Sequence, residues 1–266
     1  MNLISFKEFL ASNQMLSKEW GEWMLSHIGD LDPDLRDEGI YSGWCRLFEE
    51  RRIPLSLRKE LLAQVLNDEL LFTDIDQRKG NGVFIRSFTS LFLTVVLRFQ
   101  KRDGWPDASE QRQIIESAIL YYQQEKDNRG FVSEYGWAHA FAHGADLLQA
   151  AVLSPAFEKQ DIVGVLKGLK RGLVEVEDFL FGEEDRMVKP YLALLTSGQL
   201  TDVESGEWLQ VLQAAGESRE NDFNLCYTKF CMCLSFELVC QDLIFPVTQA
   251  QITTAMKQFY QKYQIV

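Results

Sequence analysis

Residues 34–70 read DLRDEGIYSGWCRLFEERRIPLSLRKELLAQVLNDEL. Leu35, Ile40, Trp44, Leu47 and Phe48 recur at helical spacing, Pro54 interrupts, and Leu55 to Leu70 repeats the pattern. A helix, a short break and a second helix predict an antiparallel pair, because a short connection brings the next helix back beside the first. Working outward, short helices are expected near Ser5 to Leu10 and Leu16 to Ile28. Downstream, Val83 to Phe99 is apolar almost throughout and ends at Arg102-Asp103-Gly104 and Pro106. Asp107 to Gln124, Trp137 to Leu153, Lys159 to Phe181, Glu184 to Leu195, Asp202 to Ala215, Arg219 to Leu243 and Thr248 to Tyr263 follow. Lys79-Gly80-Asn81-Gly82, Asp127-Asn128-Arg129-Gly130, Ser154-Pro155 and Pro246 punctuate them. No segment reads as a sheet. Helix pairs recur about every 45 to 50 residues, close to the HEAT and armadillo range. The pattern predicts an all-α, HEAT-like or armadillo-like α-solenoid of antiparallel helix pairs, with a helical bundle or α/α toroid as the alternative. No linker divides the chain, so one domain is expected over residues 1–266.

Composition narrows the function classes. Apolar residues make up 46% and charged residues 25% of 266, ordinary for a globular chain. The 17 glycines and 6 prolines leave little room for the turns of an all-β fold. The net charge of −12 argues against nucleic acid as a partner, because phosphate binding needs clustered Lys and Arg. No apolar run reaches the roughly 18 residues that span a bilayer. Lys7 and Glu8 stand where a signal peptide needs apolar residues, so a cytoplasmic protein with no membrane partner is expected. The five cysteines show no CxxC pair. Cys226, Cys233 and Cys240 lie seven apart on nearly one helical face and read as reduced core thiols, while Cys231 falls on another.

The polar residues cluster at the starts of alternate helices. Asp32-Pro33-Asp34-Leu35-Arg36-Asp37-Glu38, Arg86-Ser87-Phe88, Trp137-Ala138-His139 and Glu183-Glu184-Asp185-Arg186 each open one. Acidic first turns follow from the helix dipole, whereas Arg36, Arg86 and Arg186 oppose it. Two readings stand: the arginines pair with carboxylates of the next repeat as a structural ladder, or they face a ligand held along one shared edge.

Two of the three histidines fall in Gly136-Trp137-Ala138-His139-Ala140-Phe141-Ala142-His143-Gly144-Ala145-Asp146. At about 100° per residue, His139, His143 and Asp146 share one helix face, and alanines flank them so that a narrow cleft is expected above. The three suit a divalent metal, with Glu125 as a possible further ligand, because histidines four apart both reach one ion. They equally suit a general base oriented by Asp146 or Glu134, or a buried structural pair. Asp37, Glu125, Asp127, Arg129 and Trp137 join Arg36, Arg86 and Arg186 as candidate ligand contacts along that edge.

These runs, together with Val83-Phe84-Ile85-Arg86-Ser87-Phe88 and Glu125-Lys126-Asp127-Asn128-Arg129-Gly130, resemble a bacterial family known as domain of unknown function 2785. The resemblance spans about residues 30 to 195 and leaves a helical extension over about 200 to 266. Where the family carries Thr before Arg-Ser-Phe, this chain has Ile85, which removes a hydroxyl there. The resemblance implies a bacterial origin and a helical-repeat fold, and it implies no activity. The expectation is therefore a polar groove that binds a small anionic or metal-linked ligand, with hydrolysis as the activity class to test. The alternative is a protein-interaction scaffold whose polar clusters are ion-pair ladders.

Overall fold

Apolar residues at three- and four-residue intervals become the buried faces of helices in the computed structural model, which describes residues 1–67, 69–176, 179–216 and 222–262. The described residues are all-α apart from one short hairpin. The α-helices are α1 (Leu3–Ala11), α2 (Lys18–Ser26), α3 (Ser42–Glu49), α4 (Leu55–Asn67), α5 (Gly82–Arg98), α6 (Gln100–Asp103) and α7 (Ala108–Gln124). They continue with α8 (Ala140–Val152), α9 (Asp161–Glu175), α10 (Glu183–Thr196), α11 (Asp202–Gly216), α12 (Asp222–Cys240) and α13 (Pro246–Lys262). No helix among the described residues is long and apolar enough to cross a membrane.

Alternate helices pack on one another. One run passes from α3 to α5, α8, α10 and α12, and a second from α7 to α9, α11 and α13. The centre of the first run is α5, which is predominantly apolar on every side and buried from Gly82 to Leu97 except at Ile85. A helix apolar all round has no solvent face and is driven into the middle of the protein. Trp44 on α3 meets Phe92 on α5 edge to face at 4.9 Å. Tyr122 on α7 meets Phe141 on α8 at 5.5 Å. A common core extends from Phe6 to Ala255.

Three places depart from the sequence expectation. Asp34 to Glu50 is not one α-helix: Asp34–Tyr41 is a π-helix that passes into α3, and the Ser42 N–H reaches back five residues to the Asp37 carbonyl. The wider turn carries Arg36, Gly39 and Ile40 inward together, and Gly39 sits so close to Leu3 that a β-carbon would lie 2.8 Å from its methyl. The helix expected from Trp137 begins at Ala140. In place of its first turn is an antiparallel hairpin, β1 (Phe131–Val132) with β2 (Gly136–Trp137), in the register Phe131 to Trp137. Ala138 and His139 extend that pairing by donating to the Gly130 and Arg129 carbonyls. Gly136, at φ +73°, takes the left-handed turn that the hairpin needs. The helix expected over Lys159 to Phe181 covers Asp161–Glu175. The expected bounds at Arg219 and Tyr263 lie outside the described residues, as does Asp68 between α4 and a 3-10 turn at Leu70–Phe72.

Candidate functional site

The site is assembled where the hairpin, the start of α8 and the start of α10 meet. Arg36 fixes the hairpin. Its guanidinium donates to the Asp30 carbonyl at 2.7 Å, the Tyr135 carbonyl at 2.7 Å and Asp37 Oδ2 at 3.2 Å. It lies over the rings of Phe84 at 4.6 Å and Phe88 at 4.8 Å and is fully buried. Arg86 is equally enclosed. Nε and Nη2 make a two-pronged pair with Glu125, both at 2.8 Å, and Nη1 donates to the Thr73 and Asp74 carbonyls. Glu125 Oε1 also accepts the Lys126 and Asp127 N–H groups. Buried Asp127 clasps the Arg129 guanidinium, whose Nη2 reaches the Gly80 carbonyl at 2.7 Å. Arg186, half exposed, grips Asp146 through Nη1 at 2.7 and 2.8 Å. The sequence-predicted charges are thus brought together mainly with one another.

The two histidines have different environments. His143 on α8 is buried, and its Nδ1 lies 2.7 Å from Ser87 Oγ, which donates to the Ala138 carbonyl. Burial pushes its imidazole well below the ordinary range, and His139, Arg186 and Arg36 add to that. His139 is not on the helix face with it. It caps α8 in the left-handed region at φ +46°, ψ +34°, a conformation that costs a non-glycine residue about 1–2 kcal/mol. Its ring stands 5.8 Å from that of His143. The Ser87 bond engages His143 and Arg186 holds Asp146, so the expected His139, His143 and Asp146 metal set does not converge. Among the described residues no group of three or more His, Cys, Asp or Glu side chains is placed to hold a metal ion.

Glu183 is the residue missed. Its carboxylate is buried under the His139 ring, and Oε2 accepts the Phe181 N–H at 3.0 Å. Oε1 has no hydrogen-bond partner and faces His139 Nε2, itself buried and unpartnered, at 3.6 Å. Burial and the nearby Arg186 push His139 down to about 4. Burial pushes Glu183 up. His139 is therefore neutral near pH 7, with Nε2 facing the Glu183 carboxyl group. The 3.6 Å separation is longer than a formed hydrogen bond, a state common in catalytic pairs before a ligand closes them.

Aromatic rings wall this pair. Trp137 lies 4.4 Å from the His139 ring, and Phe131 and Phe181 meet Trp137 edge to face at 5.1 and 5.5 Å. All three are 41–48% exposed, and Leu180 beside them is 78% exposed. Gly130 packs under Phe181 and Glu183 so closely that a β-carbon would overlap both. Sequence reading credited the Glu183-Glu184-Asp185 run to the helix dipole, and that sufficient cause hid Glu183. The signal for the clamp was the bulky apolar Phe131 and Phe181 directly beside Gly130 and Gly182.

A buried, strained and titratable pair beneath an exposed aromatic clamp is the arrangement expected of a functional site. No curated protein and no solved structure matches the chain. The model of one family, described as "Protein of unknown function (DUF2785)", matches residues 71–231 and so takes in α5, the hairpin, His139 and Glu183. That segment is more than half of the 266 residues, and the chain belongs to the domain of unknown function 2785 family.

Proposed function

We propose that the protein binds a small organic ligand on the Trp137 clamp and exchanges a proton with it through His139, the chemistry of a hydrolase that activates water. The observation that carries the reading is the His139 and Glu183 pair: two buried polar atoms, Nε2 and Oε1, facing each other without partners at 3.6 Å. In this reading Glu183 orients the ring, and Nδ1 accepts a proton from a water held against the ligand. Hydroxide then adds to the ligand's acyl carbon, and Nδ1 returns the proton to the leaving group. Trp137, Phe131 and Phe181 favour a planar, uncharged portion of the ligand. The anionic ligand expected from Arg36 and Arg86 is less well supported here, since both guanidinium groups are buried against protein partners. The alternate packing of helices supports a HEAT-like stack as the framework, with the site on one edge.

p-Nitrophenyl acetate is the test substrate, because its planar leaving group suits the clamp. Turnover is expected in the wild type and is expected to fall at least about 100-fold in His139→Gln, the ordinary worth of a general base. Trp137→Ala is expected to raise KM. Equal turnover in wild type and a folded His139→Gln variant would sink the reading.

A second reading, a protein-interaction scaffold, is favoured by two observations. Arg36 and Arg86 act as internal ties, as structural ladders would, and the exposed Phe131, Trp137, Leu180 and Phe181 present an apolar patch.

A further inference from the structure

The two runs of packed helices end side by side, the first on α12 and the second on α13. Their outer faces differ. The middle turns of α13 expose Thr253, Thr254 and Lys257, a polar face of the kind that lets a terminal helix stand in water. The outer face of α12 carries Met232, Phe236 and Val239, 47%, 66% and 69% exposed, and Ile244 in the turn that follows is 80% exposed. We propose that this stripe on α12 is the interface of a homodimer, each copy covering the other's across a two-fold axis.

At about 100° per residue, Met232, Phe236 and Val239 fall within an arc of about 60°. Tyr227, Phe230, Leu234 and Leu238 take the opposite side and are buried. Like α5, α12 is therefore apolar on both sides, and a helix of that kind is ordinarily enclosed. Unlike α5, it leaves one of those sides in water. The steps of four and three residues along the stripe are those of a seam between paired helices. No charged residue interrupts it. Lys229, one turn earlier, is drawn toward α10 by the Phe179 carbonyl and Glu184. Glu237 lies about 100° round the helix from Phe236 and accepts from Gln241. Residues 217–221 and 263–266, outside the described ones, join the chain at the other end of α12. Lys262 lines one cavity with Tyr227, and Met232 stands about 16 Å of helix beyond residue 221.

Area decides what kind of partner fits. At roughly 100 Å² of exposed apolar surface apiece, the four side chains offer about 400 Å² per copy. A standard interface buries about 800 Å² per partner, of which about 450–500 Å² is apolar. The stripe thus supplies most of one side of a dimer interface, more than scattered single residues expose. A face that is apolar at all times needs a cover present wherever the chain is and in equal number, and a second copy meets both conditions. A two-fold axis at Phe236 sets the stripes antiparallel, each Met232 against the other copy's Val239, so that one patch complements itself. One effect opposes association. Each copy carries a net charge of −12, so the two repel at a distance. Salt screens that repulsion and leaves the apolar contact, so the dimer tightens as salt rises.

The test is sedimentation equilibrium of the full-length protein from about 1 to 100 µM, in about 50 mM and about 500 mM sodium chloride. The wild type is expected at twice the mass of one chain, with a dissociation constant that falls as salt rises. Phe236→Glu sets two unpaired carboxylates in the interface and is expected to raise that constant at least about 100-fold. Val239→Lys is expected to do the same with charge of the opposite sign, and Thr253→Glu on α13 is expected to leave the dimer intact. All three side chains are exposed, and far-ultraviolet circular dichroism checks that each variant is folded. A wild type that stays monomeric at about 100 µM overturns the proposal and leaves the stripe to a different protein. So does a dimer undiminished in the folded Phe236→Glu and Val239→Lys variants, which places the interface elsewhere. So does a dimer that dissociates as salt rises, which makes the contact one of charge.

Discussion

His139 occupies a backbone conformation that few side chains adopt, and its imidazole lies over a carboxylate that burial holds away from water. Asparagine tolerates the left-handed region, so His139→Asn is expected to keep stability within about 1 kcal/mol of wild type while turnover is lost. Urea unfolding checks the first half, and a loss above about 3 kcal/mol would make the ring a structural one. The pH dependence has a definite sign. Folded His139 titrates near 4, below its ordinary 6.5, so between those values the unfolded chain binds more protons. Stability therefore rises with pH across that window and is flat above it. His143 pushes the same way, and Glu183, raised by burial, pushes against them. The clean measurement is a difference: from pH 7.5 to pH 5, His139→Gln is expected to lose about 2 kcal/mol less stability than wild type. Equal losses would mean that the ring titrates normally. Arg86 and Glu125 belong to another class. Removing either partner strands a buried charge, so Arg86→Ala is expected to cost about 3–5 kcal/mol, and Arg86→Met with Glu125→Leu markedly less. Additive effects in urea unfolding would contradict the pairing.

Among the elements, α5 was the most legible. Its long run is dominated by Val, Phe, Ile and Leu on every side, with Arg86 and a few hydroxyl side chains enclosed among them, and such a run is read as a buried helix. The hairpin was illegible for a physical reason. Two residues per strand are too few to show alternation, and Ala138 to Ala142 continue a helical composition back into it. Only Gly136 and the positive φ at His139 separate the two, and the second cannot be read from residue type. The candidate site was legible as residue types and not as partners. Arg86, Glu125, Asp127 and Arg129 stood out, yet the sequence separation of 39 between Arg86 and Glu125 hides a direct bond. Backbones dock closely at Gly29, where a β-carbon would stand 2.5 Å from the Ile85 backbone on α5. Gly29→Ala must push the α2 turn off α5, and it is expected to cost about 3 kcal/mol or more. A melting temperature within a degree of wild type would show that the turn yields freely.

At the scale of the molecule, the family match begins at residue 71 and ends at 231, later at both ends than the motifs suggested. Those bounds do not mark a folding unit. They leave out Trp44, which packs on Phe92, and Arg36, which ties down the hairpin, and they cut α12 within its length. A fragment of residues 71–231 is expected to lack a cooperative thermal transition, and a sharp transition by circular dichroism would show that the amino-terminal helices are dispensable. All-α character was readable throughout, since period and punctuation agree from α1 to α13. The arrangement of charges was not, because long-range pairing places Arg36 beneath a hairpin a hundred residues away. The functional reading rests on one arrangement, a neutral His139 whose Nε2 faces the Glu183 carboxyl group and whose Nδ1 takes the proton in the proposed reaction. Nitrogen-15 NMR of the imidazole rings over pH 3.5 to 8, in wild type and Glu183→Gln, measures it directly. The expected result is a His139 ring neutral down to about pH 4, protonated on Nε2 in the wild type, with that tautomer preference lost in Glu183→Gln. A His139 that titrates near its ordinary value, or carries its proton on Nδ1 in both proteins, would contradict the pair and the function built on it.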